Sequence, residues 1–230
     1  MFTKNMSSKI FRAVILGPPA AGKGTISRRI LKKFNCDHVA PGDILRLHIE
    51  KNTRLGQQAK RYLQEGKLVP DDLVIKLVSS SINEIGNRSW LLDGFPRTEQ
   101  QARILQHSDP VEFVINLKVS TQLIIDRAKN RWVHLPSGRA YNIGFNEPKI
   151  PFKDDLTGED LIQREDDKPE VLEKRLDIYW KTMQPVLDFY KNLDIVYDFS
   201  GKSTDEIYPK IEKFLTERTI CCSKAALNKG

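Results

Sequence analysis

A chain of 230 residues is long enough to bury one sizeable core and to carry small inserted lobes. With 40% hydrophobic and 29% charged residues and no apolar run near the roughly 20 residues of a membrane helix, the composition excludes a membrane-spanning helix and fits a soluble protein. The formal charge of +7 favours polyanionic ligands, but the cations are scattered, with no basic block interleaved with stacking aromatics, so pocket phosphates are expected rather than nucleic acid.

The segment 1–12 carries Lys4, Lys9, Arg12, Ser7 and Ser8 without an acidic residue, a weak organelle-targeting pattern that a frayed terminus would also explain. Ala13 to Leu16, Trp90 to Leu92, Phe113 to Leu117 and Ile195 to Phe199 are short, almost continuously apolar runs, as in strands buried on both faces of a parallel sheet. A fifth strand is expected near Asp37 to Val39. Helical patterns cover Gly22 to Phe34, Asp71 to Ile85, Thr98 to His107, Ser120 to Arg131 and Pro169 to Leu193, so strands and helices alternate as in βαβ crossovers. Thr98 with Gln101 and Ser203 with Glu206 read as capping boxes, and Pro185 should bend or split the longest helix.

Two stretches break the alternation. Pro41 to Val69 reads as two short amphipathic helices, and Val133 to Gln163, rich in Gly, Pro, Asn and Asp, should have its own small β structure and move. The expected division is a core of 1–39, 70–130 and 168–230, a nucleoside-monophosphate lobe of 40–69 and a lid of 131–167. Cys36, Cys221 and Cys222 provide neither a disulfide framework nor a zinc-ligand spacing, so a reducing compartment is expected.

Directly after the first strand stands Gly17-Pro18-Pro19-Ala20-Ala21-Gly22-Lys23-Gly24-Thr25, a phosphate-binding loop whose ending admits Gly24 before Thr25. Backbone amides and the following helix N-terminus would ring the phosphates, Lys23 would reach the β and γ oxygens, and Thr25 would touch Mg²⁺. A tight strand-to-helix turn explains the glycines but not Lys23 together with Thr25. From the loop alone, a binding-only nucleotide switch stays open.

The Gly-Lys-Gly-Thr ending at Gly22 to Thr25 resembles the adenylate kinase family, and four further segments agree in order and spacing. These are Gly42-Asp43-Ile44-Leu45-Arg46, Gly66-Lys67-Leu68-Val69-Pro70-Asp71, Leu92-Asp93-Gly94-Phe95-Pro96-Arg97-Thr98 and the run from Asp126-Arg127 to Arg131. The resemblance spans roughly Phe11 to Leu215 and implies an α/β fold of P-loop NTPase type: a three-layer, five-stranded parallel sheet with a helical insert and a small β lid.

The resemblance also implies roles. Gly17, Ala20, Ala21, Gly22, Lys23, Gly24, Thr25, Arg127, Arg131, Tyr141, Asn142 and Ser203 would hold a purine triphosphate. Pro41, Arg46, Lys67, Val69, Gly94, Arg97, Gln101, Arg164 and Arg175 would hold AMP, with Arg46 and Arg97 as planar forks on its phosphate. Gln101 would offer one donor and one acceptor to adenine's edge, a pairing that guanine reverses. Arg127 would stack on the donor base and Arg131, one turn on along the same helix, would reach its phosphates; Arg164 and Arg175 would come from the far side of the lid. Lys23, Arg97, Arg131, Arg164 and Arg175 would act on the transferring group, and Asp93 with Thr25 would hold Mg²⁺, partly through water.

His134, Ser137, Asp154 and Thr157 stand where some members carry four zinc-binding cysteines, so a hydrogen-bonded polar cluster is expected in place of zinc. Ala20 replaces a usual glycine and Pro41 a usual serine or threonine, the latter predicting weaker AMP binding. Arg131-Trp132, Tyr141-Asn142-Ile143 and Leu161 to Glu170 are similar to the mitochondrial GTP:AMP phosphotransferase branch of the family. On that likeness the expectation is GTP as donor, with ITP or ATP also used, in a monomer of the mitochondrial matrix. The alternatives are an ATP-preferring adenylate kinase, a weakly active nucleotide-binding relative that acts through protein partners, and a cytoplasmic location.

Overall fold

The computed structural model describes residues 9–220. Lys4, Ser7 and Ser8 of the targeting-like segment, and the cysteines Cys221 and Cys222, lie outside them. Five strands, β1 (Arg12–Leu16), β2 (Asp37–Val39), β3 (Trp90–Asp93), β4 (Phe113–Lys118) and β7 (Val196–Ser200), form one parallel sheet in the order β2-β3-β1-β4-β7. The central β1 alternates between two cores. Ala13 and Ile15 pack with Ile26 and Ile30 of α1 (Lys23–Lys33), Ile124 of α6 (Thr121–Lys129) and Ile207 and Ile211 of α8 (Thr204–Ile220). Val14 and Leu16 pack with Val78 and Ile82 of α4 (Asp71–Ile85), Leu105 of α5 (Glu99–Ser108) and Val186 and Tyr190 of α7 (Pro169–Lys191). A strand with both faces buried has no polar side, which is why these runs are continuously apolar. Each fully buried Ile or Leu contributes roughly 1.5–3 kcal/mol, so the sheet is the rigid floor on which the loops stand.

The expected strands and helices are all present, and α2 (Pro41–Glu50) and α3 (Arg54–Gln64) make the helical insert. Two boundaries differ. The sixth helix ends at Lys129, where Asn130 leaves helical geometry (φ −99°, ψ 9°), and Arg131 opens strand β5 (Arg131–His134). Arg127 and Arg131 therefore do not share a helix face. The seventh helix is unbroken from Pro169 to Lys191 with Pro185 inside it, so Pro185 does not split it. Its burial of Leu172, Leu176, Met183, Val186 and Tyr190 along both cores outweighs one lost backbone bond.

The caps shift by one residue. Thr98 accepts the Gln101 amide at 3.2 Å and Ser203 the Glu206 amide at 3.2 Å, as in a capping box. The returning side chains reach one residue further back: Gln101 Oε1 accepts from the Arg97 amide at 2.7 Å, and Glu206 from Lys202 at 2.9 Å. Strand β5 pairs antiparallel with β6 (Arg139–Asn142), the small β structure expected in the second insert.

Candidate active site

The carboxyl ends of β1 and β3 deliver the phosphate loop and Asp93 to one cleft. Within the loop Gly22 holds φ +94° at the start of α1 and offers no side-chain cap. The amides of Lys23 and Gly24 thus face an anion, while that of Thr25 donates to the Gly22 carbonyl at 3.1 Å, and a Cβ on Gly22 would stand 2.7 Å from Thr204 Cγ2. Ala20 adopts φ 58°, the left-handed conformation that a glycine takes freely and that costs alanine about 1–2 kcal/mol. The loop keeps its shape with alanine at that cost. Pro41 is the first residue of α2, where the missing amide would have had no helical acceptor, so the substitution removes no helix bond.

Two adjoining cavities, of about 170 and 80 Å³, share Lys23, Arg46, Gly94 and Arg97. The larger adds Ala20, Ala21, Gly22, Gly24, Thr25, Asp93, Arg127, Arg131, Tyr141, Asn142 and Arg164 from the expected set. The smaller adds Gly17, Lys67 and Arg175. Four expected residues stand behind the wall. Ala40 and Gly42 line the cleft where Pro41 does not, Leu68 where Val69 does not, and Thr204 where Ser203 does not. Gln101 is 2% exposed, its Oε1 taken by the Arg97 amide and its Nε2 donating to Asp71 at 2.7 Å.

Charge governs this cleft. Lys23 Nζ folds onto the loop carbonyls of Gly17 (2.7 Å) and Pro18 (2.8 Å). Burial pushes its pKa down to about 7; Asp93 opposes the shift, and Arg97, Arg175 and Arg131 add to it. Burial likewise lowers Arg97 to about 10, with Arg175 and Arg46 adding to the effect. A pocket that disfavours its own cations is one that an anion stabilises.

Three carboxylates answer part of that charge. Asp166 meets Arg46 at 2.8 Å and Arg175 at 3.0 Å; Asp167 meets Arg175 at 3.2 Å and pairs with Arg131. Burial pushes Asp166 up, but Arg46, Arg175 and Arg164 together hold it well below the usual carboxylate range. Asp43 binds Arg46 and Arg164, both at 2.9 Å. At the lid hairpin Gly138 (φ +66°) comes so close that a Cβ would lie 3.3 Å from Asp43 Oδ2. Asp43, Asp166 and Asp167 escaped the sequence reading. The signal for Asp43 is its place three residues before Arg46 on one helix, and for Asp166 and Asp167 the acidic pair beside Arg164.

The second insert carries the polar cluster expected of it. His134 bonds Ser137 Oγ at 2.7 Å, and Asp154 accepts from Arg139 twice (2.7 and 2.6 Å), Tyr141 Oη (2.9 Å), the Thr157 amide (2.9 Å) and Thr157 Oγ1 (3.0 Å). Tyr141 thus turns its hydroxyl into the lid while lining the cleft.

The adenylate kinase family model matches residues 15–195 of this chain. The chain belongs to the adenylate kinase family. A mitochondrial GTP:AMP phosphotransferase of Drosophila melanogaster is 55% identical over 213 residues, which cover 93% of this chain and 99% of that protein. One from Saccharomyces cerevisiae is 42% identical, covering 91% and 94%. An adenylate kinase of Neurospora crassa is 45% identical, covering 80% and 69%.

Proposed function

We propose that the chain is a nucleoside monophosphate kinase that moves the γ-phosphoryl group of a purine nucleoside triphosphate reversibly to AMP. GTP is the preferred donor, with ITP or ATP also used. The observation that carries this reading is the pair of cavities meeting at Lys23, Arg46, Gly94 and Arg97. Two nucleotides laid end to end would place their phosphates at that junction. The names of the fly and yeast relatives support GTP and AMP as the pair.

An AMP phosphate oxygen attacks the γ-phosphorus while the bond to the β-phosphate oxygen breaks. No protein nucleophile is needed, and a loose transition state is served by positioning and by cations. Lys23 leaves the carbonyls of Gly17 and Pro18 for the β and γ oxygens, and Arg46 and Arg97 hold the acceptor phosphate. Arg131, Arg164 and Arg175 exchange their carboxylate partners for phosphoryl oxygens, and Arg127 lies against the donor base. Gln101 would meet the acceptor base with the N–H and lone pair that Asp71 and the Arg97 amide leave over, and Gly17 to Thr25 with Tyr141, Asn142 and Ser203 frame the donor.

Bound with the nucleotide, Mg²⁺ would supply positive charge to the polyphosphate. Thr25 Oγ1 and the Asp93 carboxylate are hard oxygen donors on the cleft wall, suited to it directly or through water. Asp93 is held ionised against its burial by His38, Lys23 and Ser27, the last bonded at 2.9 Å. No zinc is proposed, since the lid's four positions carry no thiolate.

In this reading 40–69 and 131–167 are lobes that close on a core of 1–39, 70–130 and 168–230 and exclude water. The enzyme acts as a monomer in the mitochondrial matrix, a location supported by the relatives' names, without nucleic-acid partners; among the described residues no helix is long and apolar enough to cross a membrane. Initial rates with GTP, ITP and ATP at fixed AMP test the proposal. ADP should form fastest with GTP; faster turnover with ATP would make it an ATP-preferring enzyme, and no ADP with any donor would reject catalysis.

A further inference from the structure

Arg28 lies one turn beyond Thr25 on α1 and lines the larger cavity with Thr25, Asp93, Arg127 and Arg131. Arg46, Arg131, Arg164 and Arg175 each meet a carboxylate, whereas Arg28 meets none among the described residues. Its hydrogen bond runs from Nη2 to the Ala140 carbonyl, at 3.3 Å, across 112 positions into the lid strand β6. A half-buried guanidinium has five N–H donors, so most of this fork is uncommitted within a cavity that prefers anions. Burial lowers its pKa, Tyr141 opposing the shift and Arg139 adding to it.

Hairpin geometry explains the acceptor. Val133 exchanges both backbone bonds with Ile162, at 2.8 and 2.9 Å, so its rung with Ala140 is a non-bonded pair. The Ala140 carbonyl therefore points outward from the hairpin edge, where it meets Arg28 from the core and Asn146 Nδ2 at 3.2 Å from the lid.

We propose that Arg28 is a positioning residue for the donor triphosphate, seating the lid through the Ala140 carbonyl while the rest of its fork faces the polyphosphate. The inference rests on the donor site proposed above. Closure and anion binding become coupled: bringing β6 down desolvates the guanidinium, and a desolvated cation is favourable only beside an anion.

Calorimetry with a non-hydrolysable GTP analogue, and separately with AMP, tests it on the wild type, Arg28→Ala and Arg28→Gln. Hydrogen exchange of the β5 and β6 amides reports closure. Arg28→Ala should bind the analogue about 10-fold more weakly, exchange faster in β5 and β6 at saturating analogue, and hold AMP within about twofold. Arg28→Gln, which can still donate to Ala140 but carries no charge, should fall between, and it carries the test alone if Arg28→Ala does not fold. Unchanged analogue affinity, or an equal loss for AMP, overturns the proposal. A wild type that binds AMP but no triphosphate analogue overturns the donor site itself, and this assignment with it.

Discussion

Asp43 and Arg164, 121 positions apart in the chain, meet through a hydrogen bond of 2.9 Å from Nη2 to Oδ1. The same carboxylate oxygen accepts from Arg46 at 2.9 Å, so one acid of α2 ties the helical insert to the segment that leaves the lid. Arg164 depends on it: burial pushes that guanidinium down to about 9, Arg46 and Arg131 add to the shift, and Asp43 and Asp166 oppose it.

Asp43→Asn should therefore open the cleft. Asp43 is about a third exposed (35%), which screens the pair and limits the expected shift in closure to about 1 kcal/mol, roughly fivefold. Hydrogen exchange of the 131–134 and 139–142 amides without ligand reads it directly. Unchanged exchange would show that the pair does not hold the lobes together.

Lys23 predicts a proton linkage. With its pKa near 7 in the ligand-free protein, it is largely neutral at pH 8, and a bound triphosphate restores its charge. Binding at pH 8 should take up between about half a proton and one, measured by calorimetry in buffers of different ionisation enthalpy. Lys23→Met should abolish the uptake and lower turnover by several orders of magnitude. The stability sign follows: the folded pKa lies below the ordinary 10.5, so the folded state binds fewer protons between those values. Wild-type stability relative to Lys23→Met should rise with pH from about 7 towards 10.5; a flat difference would contradict the assignment.

Gln101 and Asp71 predict base selectivity. A free glutamine amide reads adenine or guanine by flipping, but here Oε1 accepts from the Arg97 amide and Nε2 donates to Asp71, which also accepts from Thr98 at 2.7 Å. Gln101→Ala should relax AMP over GMP by about 1–3 kcal/mol, and Asp71→Asn by a smaller step in the same direction. Selectivity intact in Gln101→Ala would place the base contact elsewhere.

Asp154 predicts local lid stability. Its side chain is fully buried and answers Arg139, Tyr141 and Thr157, so Asp154→Ala strands a guanidinium and a hydroxyl at about 2–4 kcal/mol. Amide exchange within 131–163 should accelerate while that of the sheet stays unchanged. The Arg139 bonds hold the Asp154 pKa well below the usual carboxylate value, so this stabilisation is present above about pH 4 and is lost only in stronger acid.

Strands β1, β3 and β4 were legible because burial on both faces leaves an almost continuous apolar run in each, and the loop because Lys23 and Thr25 closely follow one. Arg131 was misplaced because the apolar period of α6 runs on past Asn130, while the helix ends on a local dihedral that no period records. Gln101 reads as a base contact in the sequence, while the bond that fixes its Nε2 on Asp71 of α4, thirty positions away, shows only in the fold. Arg28, Asp43 and Asp166 were hidden for a related reason: a charged residue in a helical pattern looks solvated until the fold shows what it faces. Local propensity at Pro185 allows a split helix, and only the two cores that α7 buries show why it runs on unbroken.

A crystal structure with a bisubstrate analogue, a guanosine and an adenosine joined through a polyphosphate, tests the central claim most directly. Lys23, Arg46, Arg97, Arg131, Arg164 and Arg175 should all lie within hydrogen-bonding distance of the phosphate bridge. Those side chains still paired with Asp43, Asp166 and Asp167 and turned away from the bridge would contradict it.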